Sequence, residues 1–348
     1  MSSNYKVTLT PLEAFFFGGE HTFGRDELRG ESSRYSASST HFPQQTAILG
    51  MLRKTLLIQN KNLTMHIKGE WVDSKSGKKG NDANYHEAAS LSGKDAFCYE
   101  KESDLGAIQN ISPVFLTWKN KSYIINAKDA TYTPKILNSK MSFNGLTKET
   151  FMLEGFNAKE YKDDTFIATD KTELRYEDLF ETVFSVGIKK AQGQESNEDG
   201  FFQKKSYMLK DKASFTFYVE LAQAISWREA YVTLGADQSA FQLQIQETDE
   251  NFETLFSGVF DKKSIDRVVL NSETKVDEEV YNAALFVLGK RTPYKQLEHR
   301  SGKKSKRFYL LERGSVIYAK NIEKLSAALS QTHLQKVGIN NFTTIKGS

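Results

Sequence analysis

The sequence predicts an α+β fold made of antiparallel strands in two blocks with few helices. Apolar residues alternate with polar ones at the strand period in run after run, as in Val7/Leu9, Phe184/Val186/Ile188, Phe215/Phe217/Val219/Leu221 and Phe241/Leu243/Ile245. Helical spacing is strong at two places, after His41 and from Asn321 to Gln331. No short-period repeat interrupts this pattern.

YKVTLT (5–10) is the first strand, and it runs through Pro11 and Phe15 to Phe17 into Gly18 and Gly19. Residues 20 to 41, rich in Ser, Arg and Gly, read as a long polar loop. HFPQQTAILGMLRKTLLIQ then turns helical, with Ile48, Leu49, Leu52, Leu56 and Leu57 on one face and Thr46 as its N-cap. From 60 to about 110 a Gly/Ser/Lys-rich composition reads as an insertion. ISPVFLTWKNKSYIINAKDATYTP (111–134) is a hairpin that turns at Lys-Asn-Lys. Residues 184–221 hold two or three antiparallel strands around a polar tip, Ala191 to Gly200, and 231–247 add another strand. A second unit begins near 255, with IDRVVLN, a basic loop, FYLLERGSVIYA, the helix at Asn321 to Gln331 and KVGINNFTTI as its last strand.

Composition bounds what such a chain does. An apolar fraction of 39% with 24 Phe and 15 Tyr in 348 residues supports real cores in about two domains of roughly 150 residues each. A net charge of +3 permits a nucleic-acid partner without demanding one. A single cysteine, Cys98, excludes an internal disulfide and a multi-thiolate metal site, which suits a reducing cytoplasm. No apolar run approaches the roughly 18 residues of a bilayer span, and MSSNYKVTLT holds no apolar signal core. The expectation is a soluble intracellular protein away from membranes.

The signatures of common enzymes are missing: no phosphate-binding P-loop, HExxH, EF-hand loop or G-x-S-x-G occurs. The six histidines stand at spacings that fit no metal pattern, so neither a metal nor a cofactor is expected. The strongest charge feature is GKRTPYKQLEHRSGKKSKRFY (289–309), with eight Lys/Arg, among them Lys303, Lys304 and Arg307, against Glu298 alone. Cations hold phosphates and Tyr294, Phe308 and Tyr309 offer stacking faces, although a solvated loop has the same composition. The helix start leaves the N–H groups of Ala47, Ile48 and Leu49 for an anion, with Arg53 and Lys54 two turns on, but every helix has such an end. Gly50 inside that helix costs about 1 kcal/mol relative to Ala and marks a close approach of backbone or ligand. His21 is a turn or hydrogen-bonding residue, or, with Tyr35 or Lys54, a general base for RNA cleavage. Lys189 and Lys190, with Lys204 and Lys205, flank the tip at 191–200, where a charged tip is either solvated or set against nucleic acid.

Several of these pieces, in this order, resemble the RAMP proteins of CRISPR effector complexes, above all the third-subunit family of the type III-B (Cmr) complex. That family opens with a strand, Pro-x-x-x-Phe-Phe, a polar turn and an aromatic-Gly, matched by Pro11, Phe15 to Phe17, Gly18, Gly19, Phe23 and Gly24. Its Pro, Thr and Gly-x-x-Arg helix start is matched by Pro43, Thr46, Gly50 and Arg53. Residues 111–134 stand where the family has a Gly-Pro strand. VGIKK…DGFFQKKSYML resembles its V-G-I hairpin, VTLGADQSAF its Leu-Gly-Gly strand and GSVIY (314–318) its Gly-Ser-Val strand. Two departures stand out. The closing Gly-rich loop shrinks to KVGINNF, with Gly338 kept and Asn340 and Asn341 in place of glycine, and Asn tolerates a left-handed backbone. Gly18-Gly19 replaces a charged dipeptide, which shifts the burden to His21 and Arg25.

The resemblance implies two tandem ferredoxin-like (RRM-like) domains with antiparallel sheets. The first spans 1–250 with a large insertion at about 60–170, and the second spans 255–348. It implies a non-catalytic subunit that holds the 5′ tag of the crRNA, docks the large polymerase/cyclase-type subunit and a backbone RAMP subunit, and meets target RNA indirectly. The implied RNA-binding set is Gly18, Gly19, His21, Arg25, Thr46, Ala47, Gly50, Arg53, Lys54, Lys189, Lys190, Lys303, Lys304, Arg307 and Gly338. The alternatives are a RAMP-type metal-independent endoribonuclease acting on precursor crRNA and a scaffold that touches protein alone.

Overall fold

The computed structural model describes residues 2–18, 21–26, 31–61, 64–67, 70–73, 83–143, 146–159, 164–188, 201–235, 237–296 and 305–348, with backbone alone at 21–26, 31–35, 64–67, 70–73, 83–85, 138–143, 146–149, 188 and 201–202. Ser3–Pro11 is the centre of the largest sheet, flanked antiparallel by Ser214–Leu221 and Ser239–Glu247. Its alternation does what the sequence predicts. Tyr5, Val7 and Leu9 are buried and stand opposite Val219, Phe217 and Phe215 on one side, while Val7 and Leu9 stand opposite Ile245 and Leu243 on the other. The helix Gln45–Gln59 seals this apolar row with Ile48, Leu49, Met51, Leu52 and Leu56.

Counting strand, helix, two strands and a closing strand, Phe115–Trp118, Ser214–Leu221, Ser3–Pro11 and Ser239–Glu247 lie in the order 2-3-1-4 of a ferredoxin-like unit. The second helix of the motif is absent from this unit. Residues 222–238 take its place, with Glu229–Leu234 as an edge strand.

The second unit is complete. Arg267–Leu270, the helix Glu278–Ala283, Ala284–Leu288, Val316–Ala319, the helix Ile322–Leu329 and Phe342–Ile345 follow one another in sequence. Their strands pair antiparallel in the same 2-3-1-4 order. Between them, Thr274–Val276, Phe308–Leu311 and Arg291–Tyr294 form a separate three-stranded sheet. Asn321 caps the long helix by accepting the Lys324 N–H at 2.7 Å, so the amphipathic helix at Asn321 to Gln331 is found in slightly shorter form.

Buried polar groups join the two units. Asp129, fully buried, meets the Arg267 guanidinium at 3.0 Å and accepts the Tyr318 hydroxyl at 2.5 Å. Burial, then that carboxylate, raises the Tyr318 pKa. Arg313 donates to the Val114 carbonyl at 2.7 Å with its guanidinium over the Phe42 ring.

Several expectations change. Residues 20–41 are not a loop: His21–Asp26 and Glu31–Ser38 pair antiparallel, and Glu31–Ser38 runs parallel to Phe201–Leu209. Their composition carries no apolar alternation, so the pairing of these strands is not written in the sequence pattern. Phe180–Ile188 and Phe201–Leu209 form the expected antiparallel hairpin, but Ser214–Leu221 leaves it for the large sheet through left-handed Asp211 and Lys212. The hairpin at 111–134 is found, turning at left-handed Lys119 and Asn120. The final strand is confined to Phe342–Ile345, since Gly338 and Asn340 at positive φ turn the chain before it. Within residues 60–170, Phe115–Trp118 belongs to the large sheet, and Thr133–Phe143 and Leu146–Glu154 form a two-stranded ribbon that the sequence reading did not separate. No described helix is long and apolar enough to cross a membrane.

Candidate nucleic-acid interface

The four-stranded sheet runs Phe180–Ile188, Phe201–Leu209, Glu31–Ser38, His21–Asp26. It gathers onto one platform the hairpin holding His21 and Arg25 and the strand holding Lys204 and Lys205. Phe184 stands opposite Lys205 and Val186 opposite Gln203, while parallel pairing sets Gln203 beside Ser36 and Lys205 beside Ser38. Period-two alternation puts all six on one face. That face is open, with Phe184 60% and Val186 69% exposed. On the other face Ala37 and Ser206 are buried and Lys204 lies over the Phe16 ring and pairs with Asp237. The sequence alternation reads Phe184 and Val186 as strand positions without saying whether their face is covered. The missed signal is that the paired strand offers Gln203 and Lys205 opposite them rather than apolar partners.

The phenylalanine run ties this platform to the large sheet. Phe15, Phe16 and Phe17 are buried, and Phe15 exchanges backbone hydrogen bonds with Tyr207. The Phe16 and Phe17 N–H groups donate to the hydroxyls of Ser239 and Ser39. Gly18 follows at φ 79°, a left-handed turn that suits glycine, and its carbonyl accepts the Thr40 N–H. Next to the sheet, the His41 ring stacks on Tyr207 at 4.1 Å and meets Tyr176 at 4.2 Å and Phe180 at 4.9 Å. Burial, then the Lys205 charge, lowers its pKa to about 4, so it is neutral at pH 7.

The helix start is corrected. Gln44, not Thr46, occupies the N-cap and makes no side-chain cap, while Thr46 is the second helical residue. The N–H groups of Ala47 and Ile48 both bond to the Gln44 carbonyl. Buried Gln45 closes this end by donating to the carbonyls of Ser112 and Gly338. The Ala47 and Ile48 N–H groups are therefore engaged within the chain rather than left for an anion. Arg53 is engaged too, donating to the carbonyls of Asp95 at 3.1 Å and Asp104 at 2.8 Å. Gly50 and Lys54 are exposed, and a Cβ at Gly50 would meet nothing within 4 Å.

Gly338 is also reassigned. A Cβ there would meet the Gln45 amide nitrogen at 2.2 Å and the Ser112 carbonyl oxygen at 2.7 Å, so the glycine serves internal packing against the helix start. Asn340 turns at φ 56° and is buried, its side chain bonding Lys275 and Leu329 backbone groups. The closing loop thus faces inward.

The two ends of the basic run, Arg291–Tyr294 and Phe308–Leu311, pair antiparallel in the three-stranded sheet, and residues 297–304 between them lie outside the described residues. Arg291 lies over the Tyr309 ring at 4.2 Å, and Lys306 and Arg307 are exposed. Tyr99, Tyr294 and Phe308 pack together at its base, and Gln296 binds the backbone of Phe97 and Tyr99. Gly19, Lys189, Lys190, Lys303 and Lys304 lie outside the described residues. A cleft of about 500 Å³ is lined by Glu220, Asp249, Glu250 and Glu253 against Lys336, a carboxylate excess that disfavours phosphate there.

No protein-family model and no curated protein sequence matches the chain. Among solved structures, a chain of the type III-B Cmr-beta complex bound to cognate target RNA covers 97% of this chain and 96% of its own length, at 12% identity and a TM-score of 0.52. The chain shares that subunit's fold. The same complex with AMPPnP gives 0.51 at the same identity. A chain of the Csm3-Csm4 subcomplex from the type III-A interference complex gives 0.39 at 8% identity.

Proposed function

We propose that the protein is a non-catalytic, RNA-binding subunit of a cytoplasmic type III-B CRISPR ribonucleoprotein, corresponding to the third subunit. It holds the 5′ tag of the crRNA and docks the large polymerase/cyclase-type subunit and a backbone RAMP subunit. The observation that carries this reading is the end-to-end fold agreement with a chain of a Cmr complex bound to target RNA. The surface suits the role. An unpaired tag of fixed sequence needs stacking groups and cations, and the open sheet and the ends of the basic run supply both. Co-purification from the native host tests the reading: a large subunit, sibling RAMP proteins and a short RNA are expected with the chain. Recovery without them would overturn it.

One observation favours a second reading, metal-independent cleavage of precursor crRNA. The register sets Phe23 opposite Tyr35 and His21 opposite Ala37, which puts His21 and Tyr35 on adjacent strands, two positions out of register. Repeat RNA incubated with the protein in EDTA decides between them. Intact RNA is expected; specific cleavage that disappears in His21→Ala would establish the nuclease.

A further inference from the structure

Phe184 and Val186 sit within a paired strand, yet both are more than half exposed. Nothing in the described chain covers them. Their cross-strand neighbours are not apolar but Lys205 and Gln203, with Ser38 beside Lys205 on the next strand. A ring bordered by a cation, an amide and a hydroxyl matches an unpaired nucleotide, whose base stacks and whose phosphate needs a charge. Charge points the same way. Phe201–Leu209 carries Lys204 and Lys205 and no carboxylate, and whereas Lys204 pairs with Asp237, Lys205 has no carboxylate in ion-pair reach among the described residues. A protein partner fits less well, because two apolar side chains edged by polar groups fall far short of the roughly 800 Å² per partner of a stable interface.

We propose that this face holds one unpaired nucleotide of a single-stranded RNA: Phe184 stacks on the base, Lys205 meets the phosphate and Gln203 hydrogen-bonds the base edge. The inference rests on the RNA-binding reading above and adds the place where a base is held. None of the three belongs to the RNA-binding set drawn from the sequence, although Lys205 was among the lysines noted beside the tip.

The test uses the full chain and a short unstructured RNA carrying 2-aminopurine, at low salt. Wild type is expected to quench the fluorophore. Phe184→Ala should abolish quenching and weaken binding about tenfold, the scale of one lost base stack, and Phe184→Tyr should restore both. Lys205→Gln should keep the quenching and lower the slope of log affinity against log salt by about one. An exposed ring is not needed for folding, so an unchanged melting transition accompanies Phe184→Ala, and Lys205→Gln reads the same site independently. Unchanged quenching and salt slope in the variants, with wild type binding RNA, overturns this site and leaves the RNA-binding reading standing. Loss of subunit capture with RNA affinity intact assigns the face to protein and overturns it as well. No RNA bound by wild type overturns both.

Discussion

The two ferredoxin-like units share a strand order but differ in how completely they close on themselves. In the second unit both helices are capped by side chains, Asp277 and Asn321, and its left-handed turn is held by the buried amide of Asn340. In the first unit the long helix starts without a side-chain cap, the second helix is missing, and an extra sheet with an open face is attached through the phenylalanine run. One topology thus occurs once as a complete scaffold and once as a unit that carries an added sheet with an open face. Two glycines show this most directly: Gly338 turns inward against Gln45, while Gly50 in the first unit's helix faces open space.

The largest effect is expected where the units meet. Asp129→Ala would leave the Arg267 guanidinium buried without a counter-charge and the Tyr318 hydroxyl without its acceptor. Breaking a buried pair from one side costs about 3–5 kcal/mol. Denaturant unfolding should show that loss, either as one shifted transition or as separate melting of the two units. A change below about 1 kcal/mol, the scale of an exposed pair, would mean the junction is solvated and the scaffold reading of the second unit is wrong.

One pH effect is expected from His41 in the first unit. The His41 pKa is held near 4 in the folded protein, against an ordinary value of 6.5, by burial and then by Lys205. The unfolded chain therefore takes up the proton first as pH falls. Stability from this group is full above pH 6.5 and declines toward pH 4, by on the order of 3 kcal/mol in all. His41→Phe should flatten that part of the stability profile. An equally steep profile in the variant would place the titration elsewhere.

The same contrast explains what the sequence revealed. The strands Ser3–Pro11 and Ser239–Glu247, the turn at Lys119-Asn120 and the helix capped by Asn321 were legible, because burial writes periodicity and turn geometry selects residue types. The hairpin His21–Asp26/Glu31–Ser38 was not, because its residues, rich in Ser, Arg and Gly, carry no apolar alternation while the backbone still pairs. Arg53 and Gly338 looked like ligand contacts because a cation or a glycine carries the same letter whether it meets RNA or a neighbouring carbonyl. Phe184 was legible only as a strand position, since alternation alone does not say whether a second layer covers the face.

The smallest effect is the one that separates the two uses of the fold most cleanly. Gly50 lies mid-helix with open space around its Cα, so Gly50→Ala should stabilise the isolated chain by up to about 1 kcal/mol. A glycine whose replacement improves the fold and fits without a clash is explained by something outside the chain. If RNA or a partner subunit lies against this helix, the alanine variant melts higher yet binds RNA or captures the large subunit less well. A variant that melts higher with both bindings unchanged would remove this helix from the proposed binding surface and leave the open sheet and the ends of the basic run as its candidates.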